Sequence, residues 1–560
     1  MSVRRSVIGI VTTVATLTLV VSASTVTAAA SAEAKTEYTV LAADNVSVAD
    51  AVAAIERAGG TVVGRNDAVG MFSVVAPESG FVEKAAAAPE LTGAAHQTAI
   101  GKAPEQKPSD VEMERAAAAA AAAPRAAAAV GMDPLDDKLW GLRMVRADLA
   151  RAVTPGDRRV SVGILDTGVD ASHPDIAPNF NWALSKNFAK DLPVVDGPCE
   201  VPSCLDPVGV DDGGHGTHVA GTIGAAANGL GVSGVAPNVS LVELKGGQDS
   251  GYFFLEPTVN ALTYAGDVGI DVVNMSFFVD PWLYNCTANP ADSPEAQAEQ
   301  QTIIAGMTRA LKYAHRRGVT LVAALGNNHE DLGKPRTDII SPDFPGGTEY
   351  PRPIDNGSCL VLPSEGPHVI GVSALGPSQK KADYSNYGVE QISVAAPGGW
   401  FRDGFGTPTF RTNENLILST YPKHVAQEEG LVDADGNIVP GAEGLVFKDC
   451  TPSGQCGYYV WLQGTSMASP HAAGVAALIV SKWGYPDPFH PGTLRLEPFL
   501  TEFFLLHTAA EHACPVPPLQ SYANEGRSPE FNALCEGTTN FNGFYGFGIV
   551  DAYAAVKAQF

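Results

Sequence analysis

Apolar and polar positions divide the chain into four textures. An apolar run from Val7 to Val21 follows the basic start Met1-Ser-Val-Arg4-Arg5, and small residues follow it. Residues 33–100 then read as a small α+β unit. Tyr38–Leu41 predicts a strand. Val48, Val52 and Ile55 share one helical face and predict a helix over 48–58, with Ser47 as N-cap and Gly59-Gly60 as stop. Thr61–Val63 and Met71–Val75 predict two further strands around an Asn66-Asp67 turn. Over 101–132 the periodicity disappears. Lys102, Pro104 and Pro108 precede an alanine run from Ala116 to Ala123, then Pro124-Arg125 and more alanine. Alanine favours helix, but with no apolar stripe nothing ties this stretch to a core. An exposed, cleavable linker is the expectation. From residue 133 to 560 short apolar runs alternate with helical segments. The runs are Ser161–Leu165, Val239–Leu244, Val272–Met275, Val319–Ala324, Val369–Val372 and Ile392–Ala395, with helices such as Pro257–Ala265 and Gln301–Arg316 between them. Continuous apolar strands separated by helices predict an α/β domain with a mostly parallel central sheet covered on both faces.

Composition narrows the classes. With 45% hydrophobic residues among 560, the chain buries a sizeable core and is not disordered as a whole. It carries 61 acidic against 36 basic residues, a formal charge of -25. Phosphate binding needs a net basic face, so a nucleic-acid partner is excluded. The basic start, short apolar core and Ala-x-Ala patterns at Ala28–Ala30, Ala30–Ala32 and Ala32–Ala34 describe a secretory signal peptide over 1–32. Thr12, Thr13, Thr16 and Thr18 interrupt the run, so removal is expected and not a membrane anchor. The mature chain is then secreted and extracellular, with no membrane association. Eight cysteines in an exported chain predict disulfides. Sequence leaves the pairing open. Cys199–Cys204, Cys450–Cys456 and Cys514–Cys535 could each close a small loop, which leaves Cys286–Cys359 as the remainder. None of the eight has C-x-x-C spacing, which disfavours zinc.

Three motifs carry chemistry. In Val162-Gly-Ile-Leu-Asp166-Thr-Gly-Val-Asp170, followed by His173-Pro-Asp175, an apolar strand ends in a carboxylate and a glycine turn. Active sites form at the carboxyl ends of parallel strands. Alone, Asp166 reads equally well as a turn aspartate. In Gly213-Gly-His215-Gly-Thr-His218-Val-Ala-Gly-Thr222, glycines crowd a histidine at a helix start and leave its ring accessible as a general base. The His215/His218 spacing invites a metal reading, but the H-E-x-x-H pattern is absent and His218 packs locally. In Gln463-Gly-Thr465-Ser466-Met-Ala-Ser469-Pro470-His471-Ala-Ala-Gly474, a serine opens a helix whose N–H groups could hold an oxyanion. Alone, Ser466 reads as an ordinary N-cap.

Together, Asp166, His215 and Ser466 occur in that order, each in its own glycine-rich frame. Over 133–560 the chain resembles the subtilisin-like serine peptidases, the subtilase family, whose order of catalytic groups is a standard illustration of the Asp/His/Ser triad. The resemblance implies a subtilisin-like three-layer α/β fold. It also implies that residues 33–100 are a small α+β, ferredoxin-like prodomain that acts as an intramolecular inhibitor. Ser466 would attack the scissile carbonyl, His215 would take and return its proton, and Asp166 would orient the imidazole. Leu321-Val-Ala-Ala-Leu-Gly326-Asn327-Asn328 is similar to the family's Ala-Gly-Asn stretch, with leucine replacing alanine, and assigns Asn327 to the oxyanion hole.

The same resemblance maps substrate binding to Ser250-Gly251-Tyr252 and to Ser276-Phe277-Phe278, where an extended peptide would add as a strand. The two phenylalanines depart from the glycines usual in the family and imply an altered pocket for the acyl side of the substrate. Asp175 and Asn228, with the carbonyls of Ala226, Leu230 and Val232, are similar to a family calcium loop; no cofactor is required for the chemistry. Residues 401–461 read as an insertion leading into the serine motif. The expected protein is a monomeric, secreted endopeptidase made as a self-inhibited precursor, acting on protein or peptide substrates. A narrow processing peptidase for one exported precursor and a silent binding protein on the same scaffold are the alternatives.

Overall fold

The computed structural model describes residues 34–97, 111, 112, 114, 133–334, 336–343 and 348–559. The expected signal peptide over 1–32 and most of the linker over 101–132 lie outside the described residues.

Residues 35–96 form a βαββαβ unit: β1 (Lys35–Ala42), α1 (Val48–Ala58), β2 (Thr61–Asn66), β3 (Met71–Pro77), α2 (Phe81–Ala86) and β4 (Leu91–His96). The sheet order is β2-β3-β1-β4, antiparallel throughout, which is the ferredoxin-like arrangement. Local chemistry explains α1. The Ser47 hydroxyl accepts from the Asp50 N–H, and Gly59 closes the helix in the left-handed region (φ 101°). The sequence reading missed α2 and β4, both short and alanine-rich.

The larger body is built on a seven-stranded sheet whose neighbours are all parallel. In spatial order its strands are Val394–Pro397, Val369–Leu375, Thr320–Ala324, Val272–Met275, Ser161–Asp166, Ser240–Lys245 and Lys186–Asn187. The central strands are buried on both faces, so they read as mostly apolar runs in sequence. The helix Thr465–Trp483 packs against one face and is buried nearly all round. The helices Leu255–Val268 and Pro294–Arg317 cover the other, sharing a core with Leu165, Val242, Val273 and Leu321. This is the three-layer α/β architecture expected from the sequence.

The ferredoxin-like unit rests on those two outer helices. Leu41, Val69, Met71 and Ala95 join the apolar core of Leu255, Ile303 and Met307. Around them Ser73 Oγ donates to Glu256 (2.6 Å), Arg309 donates to the carbonyls of Ala42 and Val69, and the His96 N–H donates to Glu299 (2.9 Å). At Gly93 the backbone runs so close to the helix that a Cβ would collide with Thr302.

Within 401–461, strands Ile417–Tyr421, Val446–Cys450 and Cys456–Leu462 form an antiparallel sheet. It packs against the helix His215–Gly224, with Ser419 Oγ donating to His218 O and Thr420 Oγ1 to Thr217 O, each at 2.8 Å. All eight cysteines are paired as 199–204, 286–359, 450–456 and 514–535. No helix among the described residues is long and apolar enough to cross a membrane.

Candidate active site

Asp166 ends the strand Ser161–Asp166. From that strand the chain passes through the edge strand Lys186–Asn187 to one neighbour, Ser240–Lys245, and then crosses to the other, Val272–Met275. Such a reversal opens a crevice at the carboxyl ends of the strands. The Asp166 carboxylate is fully buried. Its Oδ1 accepts from the Thr167 N–H at 2.9 Å and lies 2.7 Å from His215 Nδ1. The ring reaches it because His215 is the first residue of its helix, and Gly216 next to it lets that helix touch the Asp166 turn. A Cβ at Gly216 would collide with Gly168 O. Asp211 fastens the same junction. One oxygen accepts from Thr167 Oγ1 and the Gly214 N–H, the other from the Thr217 N–H and hydroxyl. Sequence reasoning missed Asp211. Its only signal was a carboxylate two residues before the glycine pair.

Ser466 is the second residue of the helix Thr465–Trp483. Asn327 stands beside it, following the strand Thr320–Ala324. The Thr465 N–H and hydroxyl lie 2.9 Å from Asn327 Oδ1, and Thr465 Oγ1 also accepts from the Gly326 N–H. Holding the amide by its oxygen leaves its NH2 as the group available to an incoming oxygen. Thr465 therefore positions Asn327, a role the motif alone did not reveal. Asn328 also lines the cleft, and its backbone N–H donates to Asn386 Oδ1. His218 is buried, with Nε2 3.2 Å from the carbonyls of Ile417 and Val460.

A cleft of about 370 Å3 joins these groups, lined by His215, Ser466, Asn327, Ser250, Gly251, Ser276, Phe277 and Phe278. Phe277 stacks on Phe253, ring centroids 4.0 Å apart. Tyr252, the third residue of the first expected substrate segment, does not line the cleft with its side chain. Its ring is buried and stacked on Phe254, and Phe253 takes the place on the cleft wall. The cause is a tight turn. Gly251 donates to Gln248 O and Gln248 to Tyr252 O, so 250–252 is a turn tip and the next side chain faces the cleft.

Val111 and Glu112, from the segment expected to be an exposed linker, line this cleft. Glu112 is buried. Ser466 Oγ donates to its Oε1 at 3.0 Å, and His215 Nε2 lies 3.7 Å from the same oxygen. Burial opposes charging His215, but the field of Asp166, its hydrogen bond and then Glu112 outweigh burial and hold the imidazole well above its ordinary pKa. A charged imidazole cannot take a proton from Ser466, so Glu112 both covers the serine and favours the state of the histidine that cannot act as base.

The five residues expected to bind calcium do meet, but their arrangement does not fit a cation. Asp175 Oδ2 accepts from Tyr459 Oη at 2.8 Å and from the Val232 N–H, and Oδ1 accepts from Asn228 Nδ2. The oxygen of Asn228 is taken by the Leu230 N–H. Donors thus engage both carboxylate oxygens of Asp175 and the side-chain oxygen of Asn228, the groups a hard cation would need. Burial, the largest effect, pushes Asp175 up to about 7. Tyr459, which supplies the hydroxyl, comes from the 401–461 insertion and gave no sign of this in sequence. Elsewhere, Asp191, Glu200, Asp206 and Asp249 bring their oxygens together, with Lys245 Nζ 2.6 Å from Asp249 and 3.2 Å from Asp206 as internal counter-charge.

The subtilase family model (Peptidase_S8) matches residues 157–548, and the chain belongs to the subtilase family. It is therefore a serine endopeptidase, and enzymes of this family need no cofactor for catalysis. Among curated relatives, subtilisin DY of Bacillus licheniformis is 30% identical over 344 residues, spanning 61% of this chain and 85% of the relative. Among solved structures, the epidermin leader peptide processing serine protease of Staphylococcus aureus matches with a TM-score of 0.61 at 19% identity, covering 94% of this chain and all of that one. Fervidolysin from Fervidobacterium pennivorans, a keratinolytic enzyme, matches with a TM-score of 0.55 at 21% identity over 94% of this chain and 61% of that one.

Proposed function

We propose that the chain is a secreted subtilase made as a self-inhibited precursor, which cleaves peptide bonds through an acyl-enzyme formed on Ser466. The observation that carries this is the 2.7 Å bond between buried Asp166 and His215 at the reversal point of the sheet, beside a serine at a helix start. His215 takes the proton of Ser466 as its Oγ attacks the carbonyl carbon, then gives it to the leaving amine. Asp166 fixes the tautomer and favours the imidazolium that forms between the two transfers. The developing oxyanion is met by the Ser466 N–H and by Asn327 Nδ2. Water then enters on the side the amine has left; His215 takes its proton as the water oxygen bonds to the acyl carbon, and returns it to Ser466 Oγ as the acyl–Oγ bond breaks and the acid departs.

Residues 33–100 act as prodomain, with the ferredoxin-like unit docked on two helices of the 133–560 domain and the linker, through Glu112, closing the site until it is cut. Export is supported by the 1–32 leader pattern and four disulfides. Mass spectrometry of the full chain and of Ser466→Ala tests the proposal. The wild type sheds its N-terminal segment, whereas Ser466→Ala stays full length. Identical processing of both, together with no labelling of Ser466 by a fluorophosphonate, overturns it.

A further inference from the structure

Two arginines from distant parts of the chain converge on Glu114. Arg402 Nε and Nη2 lie 2.6 and 2.5 Å from Oε1, and Arg527 Nη2 lies 2.9 Å from Oε2. Gln463 Nε2 reaches the same Oε2 at 3.4 Å. Neither guanidinium depends on Glu114 for its place. Arg402 Nη1 donates to Glu525 O at 2.9 Å. Arg527 Nε donates to the buried Asp383 at 2.5 Å, and its head lies 4.7 Å over the Phe531 ring. Both arginine side chains are more than four-fifths buried. Asp383 balances one of the two charges and leaves the other for an incoming carboxylate. Forked guanidinium groups fixed in this way suit the two oxygens of a carboxylate.

The receptor has a defined place relative to the chemistry. Gln463, three residues before Ser466, also donates to Val111 O at 2.8 Å, and its N–H donates to Glu112 O. Val111 and Glu112 line the cleft, while Arg402, Arg527 and Gln463 lie beyond its walls. Glu112 thus sits at the catalytic pair, and Glu114, two residues later in the chain, sits at the two arginines. A substrate bound in the same chain direction as these residues would carry the part released as amine toward the arginines.

We propose that Arg402 and Arg527 form a receptor for an acidic side chain in the leaving-group half of the substrate, and that Glu114 is its resident in the uncut chain. This rests on the peptidase reading above and adds a substrate class to it: peptides with Glu or Asp a few residues after the scissile bond. In an acidic protein this local pair of cations runs against the overall charge. Once the linker has left, the same pair is open to substrate.

The test uses enzyme matured from the full chain and fluorogenic peptides that share one acyl half. Glu, Gln or Lys is placed in turn at each of the first four positions after the cleaved bond. At one position Glu lowers KM about tenfold or more relative to Gln, with kcat little changed, and Lys is poorer than Gln. Arg402→Gln and Arg527→Gln each remove most of that preference while still cleaving the Gln peptides. Arg527→Gln leaves Asp383 buried without its partner, so Arg402→Gln, which keeps that pair, decides the matter if the first variant fails to fold. Equal KM for Glu and Gln at all four positions overturns the proposal while leaving the peptidase reading intact. Cleavage of none of the peptides, with no fluorophosphonate labelling, overturns both.

Discussion

Glu112→Gln isolates one charge at the centre of the precursor. The substitution keeps the size of the side chain and an oxygen that can still accept from Ser466, and it removes the negative charge 3.7 Å from His215 Nε2. At 3.7 Å the attraction is about 1 kcal/mol in the water-like limit and about 4.5 kcal/mol at an effective dielectric constant of about 20. The sign follows from linkage. Glu112 raises the pKa of His215, so the proton stays on to higher pH, and removing the carboxylate lets it leave at lower pH. Even the water-like limit makes neutral imidazole about sixfold more abundant on the acid limb. The assay is fluorophosphonate labelling of Ser466, read on the intact full-length band from about pH 5 to 9. The variant labels at least about sixfold faster on the acid limb and matches wild type where both imidazoles are neutral. A variant faster by one factor at every pH means that Glu112 acts only as a plug. Identical curves, or a slower variant at acid pH, refute the electrostatic account.

Asn327→Ala removes one oxyanion donor and should lower kcat of the mature enzyme by about 100- to 1000-fold with little change in KM, measured by steady-state peptide hydrolysis. Gly93→Val drives a side chain into Thr302 and should destabilise docking of the ferredoxin-like unit by about 1–3 kcal/mol. Hydrogen exchange over 294–317 should then rise in the precursor, while the matured enzyme behaves as wild type. A chelator should leave the melting temperature of the mature enzyme unchanged, because the 226–232 loop closes on Asp175 through protons. A clear drop in that temperature would restore calcium to the loop.

The sequence by itself determined the class of the fold and pointed to the groups proposed to react. Strands buried on both faces are mostly apolar, so most of the sheet strands were legible as runs. The groups proposed to do chemistry each sit in a distinctive glycine-rich frame, so Asp166, His215, Ser466 and Asn327 stood out. Segments with weak local signals did not. Leu91–His96 is a strand because it pairs with Lys35–Ala42 and lies on the helix Pro294–Arg317, neither of which is visible in its own alanine-rich residues. Tertiary structure alone decided the rest, since each case is a meeting of residues far apart in the chain. Tyr459 brings a proton to Asp175 across 284 positions, and Glu112 reaches Ser466 across 354. Arg402 and Arg527 become a carboxylate receptor only when folding sets them around the same two oxygens. Hydrophobic pattern and glycine turns act over a few residues and are written locally, whereas electrostatics and hydrogen bonds depend on distance in space, which the order of residues does not contain.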